Sequence, residues 1–404
     1  MEDYGEDVYW VWLQHALGAG SSKQNRILTG YRTLRDFYQA GREAWLLEGC
    51  FTNQEMKKLS SFSASDAAAL AEYCGKIGQN IVTPAHPEYP ELLREIRNPP
   101  CVLYVRGELP GNGPAVAIVG TRKATATGRA AARSFAFSLA SQGVLVVSGG
   151  AMGIDTAAHQ GALQAGGKTV CVLGCGIDAN YLMANAGLRD AVAHSGALVS
   201  EYPPGTQASG SNFPIRNRII SGLSLGTLVV EAAAKSGSLI TADFALEQGR
   251  DVFAVPGGIF SPVSQGVNRL IKSGAKPVSS ADEILEEYQE RFPGKFHLDD
   301  MKTNVIIEDS GGSGPNTPGE PEQSGTAEAR TAEPPRPRKD EPESETALSP
   351  DARAVRGCLN EAPRHISDLE RLTGLPARRV LAAVTELELS GCVRSFSGRR
   401  YSLP

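Results

Sequence analysis

The chain has 404 residues, enough for two or three domains built around a sizeable core. Hydrophobic residues make up 41% and charged residues 21%, an ordinary globular balance, and the net charge of −5 excludes binding to a polyanion through bulk charge alone. The acidic start, Met1 to Asp7, is followed by no long apolar run, and nowhere do roughly 18 apolar residues follow one another, so neither a secretory signal nor a membrane span is expected and the protein is placed in the cytoplasm.

The first element, residues 1–75, reads as a small helical domain of the SAM or helix-hairpin-helix kind. Leu13, Leu17, Ile27, Leu34, Phe37, Trp45, Leu46 and Leu59 recur at near-helical spacing, interrupted by Gly18, Gly20, Gly30, Gly41 and Gly49. From residue 80 to 298 a second domain follows. Short apolar runs alternate there with stretches of helical length and composition. The runs are Val116–Val119, Val144–Val147, Val170–Leu173, Ala197–Ser200, Thr227–Val230 and Val252–Val255; the helical stretches include 127–141, 154–165 and 238–248. Continuous apolar strands are what a parallel sheet covered on both faces requires, and repeated strand–helix units predict a doubly wound α/β fold.

Residues 299–346 are rich in Pro, Gly, Ser, Thr and Glu and carry twelve acidic against five basic side chains. Such a segment buries too little apolar surface to offset its chain entropy and is expected to be a disordered linker. Its seven surplus negative charges exceed the deficit of the whole chain, so the folded parts carry about +2 and any anion affinity must be local. The last module, 347–404, reads as a winged helix-turn-helix. His365–Leu372 forms one helix, and Pro376 opens a second that carries Val380, Leu381, Val384 and Leu387. Two short strands around Ser397-Gly398 make the wing. Arg378, Arg379, Arg394, Arg399 and Arg400 are placed to meet phosphates, whereas Glu386 and Glu388 sit on the same helix; duplex binding and protein contact both stay open.

The seven cysteines, at 50, 74, 101, 171, 175, 358 and 392, form no Cys-x-x-Cys pair and no zinc set, so reduced, mostly buried thiols and no metal or cofactor are expected. In a doubly wound sheet ligands bind beyond the carboxyl ends of the strands. Gly120-Thr121-Arg122, Ser148-Gly149-Gly150 through Gly153, Gly174-Cys175-Gly176, Glu231 through Lys235-Ser236-Gly237-Ser238 with Thr241, and Pro256-Gly257-Gly258 all fall there. Glycines permit close backbone approach and helix N-termini supply free N–H groups, so this rim reads as an anion site with Arg122 and Lys235 adding charge. Gly167-Lys168-Thr169 lacks the spacing of a phosphate-binding P-loop and precedes a strand. Gly149 to Gly153 lacks that of a dinucleotide fingerprint.

His159 and His194 read as structural, and Asp155 as a first-turn acid beside a helix dipole. Glu231 reads as a base or, preferably, a brace for Arg218 or the 232–238 loop. The stretch Phe213-Pro214-Ile215-Arg216-Asn217-Arg218 sets two arginines beside an aromatic. On a helix they project about 200° apart, so one faces the ligand and the other braces the fold. Phe213 reads either as a platform for an unstacked base or as a hydrophobic staple for its helix.

These stretches, together with Tyr89-Pro90-Glu91-Leu92-Leu93, Leu103–Gly107 and Gly266-Val267-Asn268-Arg269-Leu270-Ile271, resemble the DprA/Smf DNA-processing family in order over about residues 80–280. The resemblance implies an extended Rossmann-like fold, homodimers associating near 260–275, and non-enzymatic binding of single-stranded DNA. It also implies protection of incoming DNA in natural transformation and loading of a RecA recombinase. Its DNA contacts map to Arg122, Gly149, Gly150, Lys168, Phe213, Arg216 and Arg218, joined on the residue reading by Asn217, Lys235, Ser236, Gly237, Ser238 and Thr241. The alternative is a nucleotide-processing enzyme of the lysine-decarboxylase-like phosphoribohydrolase class. That class has Pro-Gly-Gly-x-Gly-Thr, and here Pro256-Gly257-Gly258 is followed by Ile259-Phe260-Ser261.

Overall fold

The computed structural model describes residues 4–181, 183–297, 348–360, 362–390, 392–396 and 400–403. The linker expected at 299–346 and the wing turn with Arg399 lie outside the described residues. The chain divides into two compact units, residues 1–310 and 311–404.

The first unit is organised by a nine-stranded sheet. Its strands are β1 (Asn80–Val82), β2 (Leu103–Gly107), β3 (Ala115–Val119), β4 (Leu145–Ser148), β5 (Thr169–Leu173), β6 (Ala197–Ser200), β7 (Gly226–Val229), β8 (Asp251–Ala254) and β9 (Lys276–Pro277). They lie in the order β1-β2-β6-β5-β4-β3-β7-β8-β9. From β6 to β9 all pairs are parallel; β2 runs antiparallel to β6, and β1 to β2. Ala117 of β3 sits between Val147 of β4 and Thr227 of β7, which places the reversal of strand order between β3 and β7. In an open α/β sheet that reversal opens the ligand crevice at the carboxyl ends of the strands.

Side chains alternate across the sheet. Ala117, Val119, Val147 and Val172 face the helices Asn212–Gly222 and Gly237–Glu247, where Ile219, Ile220, Leu239 and Ala242 meet them. Val116, Ile118, Val146 and Leu228 face Ala126–Ser141 and Ile154–Gln164. The fold is therefore the expected doubly wound α/β sheet. The six strands and three helices read from the apolar runs stand within one or two residues of their expected bounds.

The amino-terminal region forms five helices, Glu6–Leu17, Lys23–Gly30, Leu34–Leu47, Asn53–Ser61 and Ala64–Lys76. Thr33, Thr52 and Ser63 each close a capping box with the acid three residues on, which fixes three of these starts. Trp12 is fully buried at the hub, edge-on to Tyr38 at 4.8 Å and donating its indole N–H to the Leu59 carbonyl at 3.2 Å. Leu46, expected on the apolar face, points outward. The helices share one core with Tyr104, Cys171, Leu173 and Leu198 of the sheet. Polar ties cross the same seam: Gln14 donates to the Glu201 carbonyl at 3.3 Å, and Asp7 accepts from the Thr83 hydroxyl at 2.7 Å.

The second unit packs helices Pro350–Gly357, Ile366–Thr373 and Ala377–Leu389 against a small antiparallel sheet, β10 (Arg364–His365), β12 (Arg400–Ser402) and β11 (Arg394–Phe396) in that order. Val355, Leu369, Val380, Val384, Leu387 and Tyr401 form its core. This is the winged-helix arrangement; Pro376 stands one place earlier than expected, as the cap rather than the first helical residue. Arg379 is engaged by Asp351 through two bonds of 2.6 and 2.7 Å, and Glu386 accepts from the Ser349 N–H and hydroxyl. Both therefore engage the start of the first helix of the module, with Arg379 staying exposed. Arg394 and Arg400 are exposed. Among the described residues no helix is long and apolar enough to cross a membrane.

Candidate nucleic-acid interface

The rim is assembled from turns that follow β3, β4, β5 and β7. After β3, the Thr121 N–H donates to the Glu231 carbonyl at 2.8 Å, which joins the β3 and β7 exits across the crevice. The Glu231 carboxylate accepts from the Thr125 N–H at 2.9 Å and its hydroxyl at 2.6 Å, while Thr125 in turn caps the helix Ala126–Ser141. Glu231 is thus a brace for the Gly120–Thr125 turn. The brace expected from sequence, for Arg218 or the 232–238 loop, is corrected by this contact: Arg218 pairs with Glu201, and the Glu231 carboxylate holds Thr125. With its ends fixed, the turn presents Arg122 and Lys123 to solvent.

After β4, the chain passes Gly149 and Gly150 and turns into helix Ile154–Gln164 through Gly153, whose φ of 86° suits glycine. A side chain there would also meet the Arg122 carbonyl at 2.7 Å, so glycine is what lets the β3 and β4 turns touch. At Gly149 a side chain would meet the Arg216 guanidinium at 2.7 Å and the Asp155 carboxylate at 2.8 Å. Asp155 is buried and accepts from the Ala151 N–H at 3.2 Å; burial pushes its carboxyl up to about 6, against the pull of Arg216. Beneath it His159 bonds Thr169 at 2.8 Å, and burial pushes its imidazole down to about 4. Ser148 donates to the Ile118 carbonyl at 2.7 Å and is buried.

The helix Asn212–Gly222 brings Phe213 to this rim. Its ring lies against Gly174 at the exit of β5, with the Arg122 guanidinium 5.1 Å and the Arg216 guanidinium 5.9 Å from its centre. Arg122 and the 213–218 segment, separated by some ninety residues of sequence, therefore meet. Cations over an aromatic face are attracted by the ring quadrupole, by about 0.5–2 kcal/mol each.

Three expectations need correction. Arg216 is 4% and Arg218 1% exposed, so neither guanidinium is open to solvent for a phosphate contact. Arg216 donates to the Gly149 carbonyl at 2.8 Å and to the Val172 carbonyl, closing the strand ends from beneath. Arg218 pairs with the buried Glu201 at 2.7 Å and donates to the Asn98 carbonyl, so both arginines brace the fold. Lys168 is exposed but precedes β5, at the opposite edge of the parallel sheet from the carboxyl ends. Asn217, Ser238 and Thr241 are buried; Asn217 donates to the Gly237 carbonyl at 3.3 Å, and Ser236 caps helix Gly237–Glu247. Lys235 and Gly237 are exposed, with Ser236 half-buried, at the exit of β7 beside the Arg122 turn.

The sequence reading passed over Tyr181, whose ring centre is 5.2 Å from that of Phe213. It also passed over Glu201, and over Asn185, which donates to the Gly150 carbonyl at 3.3 Å and to Thr156 at 2.9 Å. The available signal was the position of Asp178-Ala179-Asn180-Tyr181 just after the strand-end glycines 174 and 176.

Comparison with known proteins agrees with this architecture. Residues 80–289 match the family model of the DNA recombination-mediator protein A, and residues 339–399 that of the DprA winged helix domain. Protein Smf of Synechocystis is 33% identical over 98% of this chain and 98% of its own. DNA processing protein DprA of Bacillus subtilis is 44% identical over 53% of this chain and 73% of its own. The X-ray structure of DNA processing protein A from Streptococcus pneumoniae superposes with a TM-score of 0.61 at 33% identity, covering 71% of this chain and 99% of that one. The chain thus belongs to the DprA/Smf family of DNA-processing, recombination-mediator proteins and carries the family's winged-helix domain.

Proposed function

We propose that the protein binds single-stranded DNA at the carboxyl rim of its large sheet and delivers it to a RecA-type recombinase in transformation and recombination. The observation that carries this reading is the meeting of Arg122 with Phe213 over glycine-lined turns. A cation that holds phosphate stands there beside an aromatic that can stack an unpaired base, a pairing that reads strands without a sequence code. Arg122, Lys123 and Lys235 supply exposed charge; Gly149 and Gly150, expected from sequence to meet the strand, are buried and instead make room for Arg216, Asp155 and Cys171, with Arg216 stiffening the floor. No catalytic role is assigned, since Glu231, the strand-end acid at the crevice, is occupied by Thr125.

We further propose a homodimer through the segment near 260–275. Phe260 is 92% exposed beside Ile259 and the helix Gln265–Lys272, an apolar surface that a second copy would cover. Light scattering of Phe260→Asp should give a lower mass than the native chain; equal masses remove that surface.

The binding reading is tested by fluorescence anisotropy with labelled single- and double-stranded oligonucleotides at two salt concentrations. Preference for the single strand at both is expected. Equal affinity for the two forms, or none for either, contradicts the reading. The delivery step is tested by recombinase filament assembly on the same single strand; acceleration by the protein is expected, and an unchanged rate removes that step.

A further inference from the structure

Phe213 does not stand alone. Beyond β5 the chain turns at Asp178–Tyr181, where the Tyr181 N–H donates to the Ala179 carbonyl at 2.8 Å. Two ties hold this turn to a neighbouring loop. The Asp178 carboxylate accepts from the Gly205 N–H at 3.0 Å, and the Gly176 N–H donates to the Thr206 carbonyl at 2.9 Å. So fixed, the turn sets Tyr181 against Phe213 with centres 5.2 Å apart and planes 36° apart. Rings at that separation are in direct contact, so no base enters between them and they form one surface.

Gly174 backs the Phe213 ring, the Arg122 and Arg216 guanidiniums stand 5.1 and 5.9 Å from its centre, and the ring stays half-exposed. Tyr181 is the aromatic continuation of that surface and is half-exposed. Its phenol hydroxyl is a donor and acceptor suited to a phosphate oxygen or a base edge. We propose that Tyr181 is a second base-contacting residue, so that the rim accepts two neighbouring bases of a single strand, one against each ring. This rests on the reading of the rim as a single-strand site.

Stacking carries no charge, which separates it from the phosphate contacts. Affinity for an oligothymidylate is therefore measured against salt for the native chain, Phe213→Leu, Tyr181→Leu and Tyr181→Phe. Tyr181→Leu should weaken binding roughly ten- to hundred-fold with an unchanged salt slope, and Tyr181→Phe should retain most of the affinity. An oligonucleotide with abasic residues should lose affinity for the native chain and be insensitive to Tyr181→Leu. A Tyr181→Leu chain that binds like the native one while Phe213→Leu is weakened overturns this proposal and leaves the site intact. If the native chain shows no preference for bases over abasic sites, the site reading itself fails. Should Tyr181→Leu not fold, light-induced crosslinking of the native chain to an iodouracil-bearing strand decides. Adducts on both rings are expected, and adducts on Phe213 alone overturn the proposal.

Discussion

Phe213 is held by the segment after β5, with Gly174 behind and Tyr181 beside, by the Arg122 guanidinium from the β3 turn, and by Arg216 of its own helix. Phe213→Leu keeps most of the apolar volume and removes the π-face. Single-strand affinity should fall by about 1–3 kcal/mol with the salt slope unchanged, as titrations at several salt concentrations will show. A slope that changes with this substitution would mean the ring acts by placing Arg122. Deeper down, His159 links folding to pH. Its folded value near 4 lies below the ordinary imidazole value, so the unfolded chain binds the extra proton. The stability this contributes is present above about pH 6.5 and is lost as pH falls towards 4, a swing of order 3 kcal/mol. Asp155, raised to about 6, works in the opposite sense over an overlapping range. Denaturation of His159→Gln should therefore show the variant gaining on the native chain by that amount between pH 6.5 and 4. A constant difference would contradict the assignment. At this scale the sequence named Arg122 and Phe213 but misplaced the twin arginines. Helical spacing gives the angle between Arg216 and Arg218. It cannot show that one meets strand carbonyls at 149 and 172 and the other Glu201.

Among the elements, the parallel strands were legible because burial on both faces forces continuous apolar runs, as in Val116–Val119 and Val170–Leu173. The edge strands β1 and β9, only three and two residues long, leave no such run. β2 was recognisable as a motif, yet its antiparallel pairing with β6 depends on the whole sheet. The helical amino-terminal region was legible in its glycine breaks, since Gly18, Gly20, Gly41 and Gly49 all have positive φ. Its docking was not, because the shared core joins Trp12 to Cys171 and Leu198 only in three dimensions. The same reasoning makes Gly153 the critical joint between the β3 and β4 turns. Gly153→Ala combines a positive φ with a contact on the Arg122 carbonyl, and should cost at least about 2 kcal/mol of stability in denaturant titrations and weaken single-strand binding. Unaltered stability and affinity would show that the two turns are not coupled.

For the whole molecule, a net charge of −5 coexists with a proposed polyanion site because charge is segregated along the chain. The acidic surplus falls between residues 299 and 346, while the crevice between β3 and β7 exposes Arg122, Lys123 and Lys235. Lys168 stands at the far edge of the sheet, so a single nucleotide cannot touch it and Arg122 together. In the winged-helix unit Arg379 is paired with Asp351 and Glu386 with Ser349, while Arg394 and Arg400 are exposed charges. The central claim is that Arg122 neutralises a strand phosphate at the rim. It is tested most directly by the slope of log affinity against log salt for an oligothymidylate, measured for the native chain and for Arg122→Ala. The account predicts a slope shallower by about 0.7 in the variant, the share of one phosphate on a single strand. Parallel lines for the two proteins would contradict it.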